Sequence, residues 1–205
     1  MNSKKKAKKT HTKNQWQDHL TKLAKTKNYP ARSIYKLEEI QNKFKIIKRT
    51  DLVLDLGCAP GSWLLYTSKL TKSHGKVYGI DLKEINIVLP DNAIAIKEDI
   101  YNFVKSDFLK INKNFDVILS DMAPSTTGRK DIDTFKSFEL CKTALIIVEN
   151  CLNQNGNFVC KIFQGNDFNT LVKNVKLIFK ETKIFKPQST RKQSREIYIV
   201  AKNKK

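Results

Sequence analysis

Along this chain short apolar runs alternate with longer stretches in which apolar side chains recur every three or four positions, the pattern of strands followed by helices. Trp16, His19, Leu20 and Leu23 recur at helical spacing and predict a short amphipathic helix. Ile34, Leu37, Ile40 and Phe44 predict a second helix over 31–44, with Pro30 as its start signal. The run over 52–56 then stops in Gly57, Pro60 and Gly61, so a buried strand meets a tight turn and hands over to a helix spanning about 62–70. Further strands are predicted over 76–81, 93–96 and 115–121. Residues 133–152 give the clearest helix, and Asn155-Gly156 closes its connection to a strand over 157–163. A Gln164-Gly165 turn, a helix over 167–179 and two strands at 183–185 and 196–201 complete the chain, with a basic polar loop over 186–195 between those two strands. Strands alternating with helices imply an α/β fold: a mostly parallel sheet with helices on both faces and functional groups at the carboxyl ends of the strands. The final hairpin has no helix between its strands, which makes the last strand antiparallel.

Composition adds a partner class to this outline. The 205 residues carry 39 Lys and Arg against 20 Asp and Glu, a formal charge of +19, far beyond what solubility needs and suited to a polyanion such as RNA. A general lysine bias would raise the charge without clustering it, whereas Lys4, Lys5, Lys6, Lys8, Lys9 and Lys13 crowd one end. Residues 1–14 therefore read as a flexible basic arm, and 15–205 as a single domain. Cys58, Cys141, Cys151 and Cys160 form no C-x-x-C pair and no ligand spacing with the three histidines, so they read as core residues in a reducing compartment, with no metal. No apolar run approaches the roughly 20 residues of a membrane span, and the expectation is a cytoplasmic monomer without membrane contact.

The acids mark a ligand site. Asp55 lies inside the first strand, and Asp81, Asp99 and Asp121 terminate the next three, so all four could ring one crevice. Asp81 falls about 20 residues past the glycine turn, where nucleoside-binding units place a carboxylate against ribose hydroxyls. The turn itself, Gly-x-x-x-Gly with Pro60 inside it, departs from the dinucleotide pattern G-x-G-x-x-G. Lys161, between Cys160 and Ile162 in an apolar strand, is costly to bury unless it reaches a polar crevice. Arg32 and Lys36 lie four apart and share a helix face, and Arg32, Arg191, Lys192 and Arg195 are candidate phosphate contacts. Taken alone, Lys36 and Lys161 could be surface lysines, and Glu196 could simply pair with Arg195 or Lys192.

Four blocks in order, Asp55-Leu-Gly-Cys-Ala-Pro-Gly-Ser-Trp63, Ser120-Asp-Met-Ala-Pro-Ser125, Lys161-Ile-Phe-Gln-Gly165 and Ser194-Arg-Glu-Ile-Tyr-Ile-Val200, resemble the FtsJ/RrmJ family of ribosomal RNA 2′-O-ribose methyltransferases. Arg32-Ser-Ile-Tyr-Lys-Leu37 and Trp16-x-x-His19 extend the likeness over nearly the whole chain. The resemblance implies a Rossmann-like class I methyltransferase fold with a seven-stranded sheet, using S-adenosylmethionine. It implies a cofactor site at Asp55, Gly57, Pro60, Gly61, Ser62, Trp63, Asp81, Asp99 and Asp121, and a catalytic set of Lys36, Asp121, Lys161 and Glu196. The implied substrate is a ribose, a uridine's, in 23S-type large-subunit ribosomal RNA, met on the assembled particle. Transfer RNA or a messenger cap as substrate, and a non-catalytic ribosome-assembly factor of the same fold, stay open as alternatives. Cys58 stands where the family usually has alanine, Ser62 where a second glycine is common, and Ser125 where asparagine is common.

Overall fold

The computed structural model describes residues 19–105 and 114–205. The arm over 1–14 and Trp16 lie outside the described residues. Helix α1 covers residues 19–26, and α2 spans Ile34–Phe44. The central sheet then forms from β1 (Leu52–Leu56), β2 (Lys76–Asp81), β3 (Ala93–Lys97), β4 (Phe115–Ser120), β5 (Leu152–Phe163), β6 (Phe179–Phe185) and β7 (Glu196–Lys204). Between the strands run α3 (Ser62–Thr71), α4 (Ile100–Phe103), α5 (Lys130–Cys151) and α6 (Phe168–Ile178).

The strand order is β3-β2-β1-β4-β5-β7-β6. All pairings from β3 to β5 are parallel, and β7 inserts antiparallel between β5 and β6. The chain moves outward from β1 to β3 and then returns to the other side of β1 with β4. The β1/β4 boundary is therefore the switch point at which an open sheet leaves a crevice above its carboxyl ends.

Strand alternation sends successive side chains to opposite faces, and two cores result. Leu54, Ile118, Phe158 and Ile199 pack under α5 and α6, while Val53, Val117, Val159 and Tyr198 pack under α2 and α3 with Leu37, Trp63 and Leu64. Leu20, Ala24, Tyr29, Ile34 and Tyr35 join α1 to α2 in a smaller cluster. All four cysteines are free and buried.

Several boundaries differ from the reading of the sequence: α5 starts at Lys130, β6 at Phe179, and β7 runs on to Lys204. β5 begins at Leu152, directly after α5, because Leu152 is buried and pairs with Phe115 on β4. Asn155, at φ 60°, and Gly156 then absorb a register shift inside the strand instead of closing a loop. Helix α2 starts at Ile34, three residues late, because Ala31 and Ser33 are held by contacts to α3.

Candidate active site

The turn after β1 is shaped by two glycines with positive φ, Gly57 at 79° and Gly61 at 108°. A β-carbon on Gly57 would meet the Met122 backbone, and one on Gly61 would strike Ile87, so both neighbouring loops close in on bare backbone. Beside this turn lies a cavity of about 500 Å³, a volume in the range of small-molecule sites. Gly57, Pro60, Asp81, Glu98, Met122 and Lys161 are among its lining residues.

Asp81 is aimed by its own bonds: one carboxylate oxygen accepts the Ala59 N–H at 2.9 Å and the other accepts the Lys83 N–H at 2.8 Å. Asp55 is fully buried, and neither of its carboxylate oxygens accepts a hydrogen bond. Burial, with Asp121 and Asp81 nearby, pushes its carboxyl well above the ordinary range. Asp55 does not itself line the cavity, so it acts there only through the field it shares with Asp121 and Asp81, which do. Asp81 and Asp121 on the cavity wall suit S-adenosylmethionine, whose positive charge Asp121 would meet and whose ribose hydroxyls would bond Asp81.

Of the residues assigned to the cofactor by resemblance, Gly57, Pro60, Asp81 and Asp121 line this cavity, while Asp55, Gly61, Ser62, Trp63 and Asp99 do not. Asp99 does not line the cavity; its carboxylate caps α4 by accepting the Tyr101 N–H at 2.9 Å, and the neighbouring Glu98 lines the cavity instead. Ser62 and Trp63 turn away from the cavity, and their polar atoms bond the backbone of Ala31 and Ser33. The Trp63 ring packs on Tyr198, with centroids 5.9 Å apart.

At the cavity mouth two ion pairs meet. Lys161 Nζ lies 3.0 Å from Asp121 Oδ1 and also donates to the Asp121 carbonyl. Lys36 Nζ reaches from α2 to Glu196 Oε1 at 2.6 Å. The Tyr198 hydroxyl joins them, 2.8 Å from Asp121 Oδ1 and 3.0 Å from Glu196 Oε1. Burial pulls the Asp121 carboxyl upward, but Lys161, Lys36 and the hydrogen bonds from Lys161 and Tyr198 outweigh it and hold the group below its usual value. Burial, Asp121 and Glu196 together push the Tyr198 phenol well up, so it remains a donor at neutral pH. Glu196 thus pairs with Lys36, not with Arg195 or Lys192. Tyr198 was not singled out from the sequence, although its place two residues after Glu196 in a strand puts both on one face.

Arg32 stands near this cluster, its Nη1 buried without a partner. Burial and the neighbouring Arg191 hold its guanidinium below the ordinary value, with Glu196 opposing them. Arg191 and Lys192 are exposed on the loop before β7. Glu39 of α2 anchors that loop, its carboxylate accepting the Gln188 N–H at 2.6 Å and the Ser189 N–H at 2.9 Å. Arg195, one residue before Glu196, turns to the other face and lines a cavity of about 150 Å³ with Lys130 and Thr134 of α5. Among the described residues no cluster of three or more His, Cys, Asp or Glu could hold a metal ion.

Residues 29–204 match the family model of the FtsJ-like methyltransferases. The chain belongs to this family. It is 52% identical over 193 residues to the ribosomal RNA large subunit methyltransferase E of Desulforapulum autotrophicum, covering 94% of this chain and 95% of that protein. The protein of the same name from Desulfatibacillum aliphaticivorans is 49% identical over 205 residues, covering 100% of this chain and 97% of that one. A crystal structure described as a ribosomal RNA methyltransferase from Plasmodium falciparum superposes with a TM-score of 0.75 at 33% identity, over 86% of this chain and 98% of that one. The fibrillarin/Nop5p complex, at 17% identity and a TM-score of 0.57 over 80% of this chain and 78% of that one, shares the fold. This FtsJ-like chain is accordingly a methyltransferase with a Rossmann-like sheet. No helix among its described residues is long and apolar enough to cross a membrane.

Proposed function

We propose that this enzyme methylates the 2′-hydroxyl of one ribose, a uridine's, in large-subunit ribosomal RNA, with S-adenosylmethionine as donor. The observation that carries the reading is the fused pair of ion pairs, Lys161–Asp121 and Lys36–Glu196, bridged by Tyr198 at the rim of the cofactor cavity. The names of the relatives from Desulforapulum and Desulfatibacillum supply the ribosomal substrate.

Asp81 would bind the cofactor ribose, while Asp121 would face its cationic end and buried Asp55 would add to the negative field behind it. Bound there, S-adenosylmethionine supplies an electrophilic methyl group, so the protein's task is alignment and stabilisation of charge on the acceptor oxygen. Lys161 Nζ, oriented by Asp121, steers the hydroxyl proton. Lys36 Nζ, oriented by Glu196, places a second cation beside the developing alkoxide. Each carboxylate keeps its lysine from swinging into solvent, and Tyr198 fixes the two pairs relative to each other. Arg32, Arg191, Lys192 and Arg195 bind phosphates, which position the RNA without reading its bases.

The cavity and the acceptor cluster share Asp121 and Lys161, as direct transfer from a bound donor to a bound hydroxyl requires. The test is ribose-methylation mapping of ribosomal RNA from cells with and without this protein. Loss of one 2′-O-methyl mark in the large-subunit RNA is the expected result. An unchanged large-subunit map together with a lost mark in transfer RNA would move the substrate, and an unchanged map throughout would overturn the reading.

A further inference from the structure

Ser62 and Trp63 follow the glycine turn directly, yet both reach across to the segment that leads into α2. Ser62 Oγ accepts the Ala31 N–H at 2.8 Å and donates to the Ala31 carbonyl at 3.0 Å, two bonds to one residue. Trp63 Nε1 donates to the Ser33 carbonyl at 2.9 Å. That same carbonyl accepts the Lys36 N–H at 3.1 Å, at the start of α2. Arg32 lies between the two clamped residues, Ser33 lines the cofactor cavity, and Lys36 is one turn away. Ser62 and Trp63 are buried, at 1% and 2% exposure, so neither contact is a surface accident.

We propose that Ser62 and Trp63 are positioning residues: a clamp that ties the methyl-donor turn to the segment carrying Arg32 and Lys36, and so sets the distance between donor and acceptor. This rests on the ribose-methylation reading and goes beyond it. A glycine at position 62 would have no side chain to make the Ala31 bonds, so this half of the clamp depends on the serine. Hydrogen bonds to backbone at both ends leave few soft torsions between Gly61 and Lys36. Transfer chemistry is sensitive to displacements on the order of 1 Å.

The experiment compares Ser62→Ala, Trp63→Phe and the double variant, in the full chain, with Ser68→Ala as control. Ser68 is a buried hydroxyl of the same helix whose hydrogen bond goes to Asn92 Oδ1 at 2.6 Å and not to 31–33. Calorimetry with S-adenosylhomocysteine reads the cofactor site. Turnover on large ribosomal subunits from cells lacking the protein reads alignment. The expected result is a dissociation constant for S-adenosylhomocysteine within about twofold of the parent, kcat lower by about 5- to 10-fold in each single variant and further in the double, and a raised KM for the subunit. In an Arg32→Gln background the effect of Ser62→Ala on that KM should disappear, which a general loss of stability would not produce. A cofactor constant that weakens while kcat holds would place Ser62 on the cofactor and overturn the clamp, as would an equal fall of kcat in Ser68→Ala. A parent enzyme that binds S-adenosylhomocysteine but methylates no ribosomal subunit would instead refute the ribose-methylation reading.

Discussion

Replacing Tyr198 by phenylalanine removes one oxygen from the centre of the acceptor cluster and little else. The ring is fully buried and packs on Trp63, so its shape and apolar contacts persist. What is lost is a hydroxyl proton shared between Asp121 Oδ1 at 2.8 Å and Glu196 Oε1 at 3.0 Å. A hydrogen bond to a charged group contributes about 1.5–3 kcal/mol, and each 1.4 kcal/mol expressed in the barrier is roughly tenfold in rate. With one proton for two acceptors, a single such bond is at stake, so kcat should fall by about 10- to 100-fold. A second readout has a defined sign. Tyr198 is among the groups that hold the Asp121 carboxyl below its usual value, so its removal raises that group, and the acidic limb of the kcat profile should move to higher pH. Steady-state kinetics across the acid and neutral range, with S-adenosylhomocysteine affinity measured alongside, provide the assay. A kcat within about twofold of the parent and an unmoved acidic limb would refute the bridging role.

Lys161→Ala should abolish methyl transfer to ribosomal subunits while leaving S-adenosylhomocysteine binding within about threefold, and activity near the parent's would remove it from the acceptor site. Asp55 is an acid whose folded value is raised, so its contribution to stability is present below the unfolded carboxyl value and is lost as pH rises through the folded one. Asp55→Asn cannot ionise, so its Tm in the cofactor-free state should gain on the parent as pH rises while its affinity for S-adenosylhomocysteine drops; parallel Tm curves would refute the buried, unpartnered charge. Lys130→Gln with Arg195→Gln removes the two cations that line the smaller cavity, and the slope of log affinity for ribosomal RNA against log salt should shrink by about 1–2. An unchanged slope in filter binding would exclude both from the RNA path. Lys204 Nζ caps the end of α5 by donating to the carbonyls of Val148 at 2.8 Å, Glu149 at 2.9 Å and Leu152 at 2.8 Å. Lys204→Met should cost about 2 kcal/mol, a fall in Tm of about 4–8 °C by calorimetry, without changing kcat.

The sheet was legible because its signals are local. Apolar runs ending in Gly57 and Gly61, or in an acid, announce strand ends whatever the partner strand is. The tetrad was legible through the family's blocks, and its geometry has an independent physical cause: Lys161 is affordable in an apolar strand because Asp121 meets it twice. Asp99 shows where local reading runs out by one residue. β3 ends at Lys97, and an aspartate just before a helix is also the preferred cap, so the cap took Asp99 and left Glu98 to the cavity. Tyr198 was hidden for another reason, since a tyrosine among Ile197, Ile199 and Val200 reads as core, and its hydroxyl acquires meaning only once β7 lies beside β5.

Ser62 and Trp63 illustrate the deeper limit. Their proximity in sequence to the glycine turn argues for a role at the cofactor, and the resemblance carries that role with it. Their partners, however, are backbone groups of Ala31 and Ser33, thirty residues upstream, and backbone has no residue type to recognise. A small polar residue in place of a common glycine looks neutral from the turn's side, because Gly61 and not Ser62 carries the positive φ. From the other side it adds two hydrogen bonds between the start of α3 and the segment that carries Arg32 and Lys36. The donor half and the acceptor half of this enzyme are therefore joined twice: through the carboxyl ends of β4 and β5, where Asp121 meets Lys161, and through the first turn of α3. The first joint is an ion pair between two residues that line the cavity, and the second ties the segment carrying Arg32 and Lys36 to the glycine turn, which is the arrangement the proposed clamp requires.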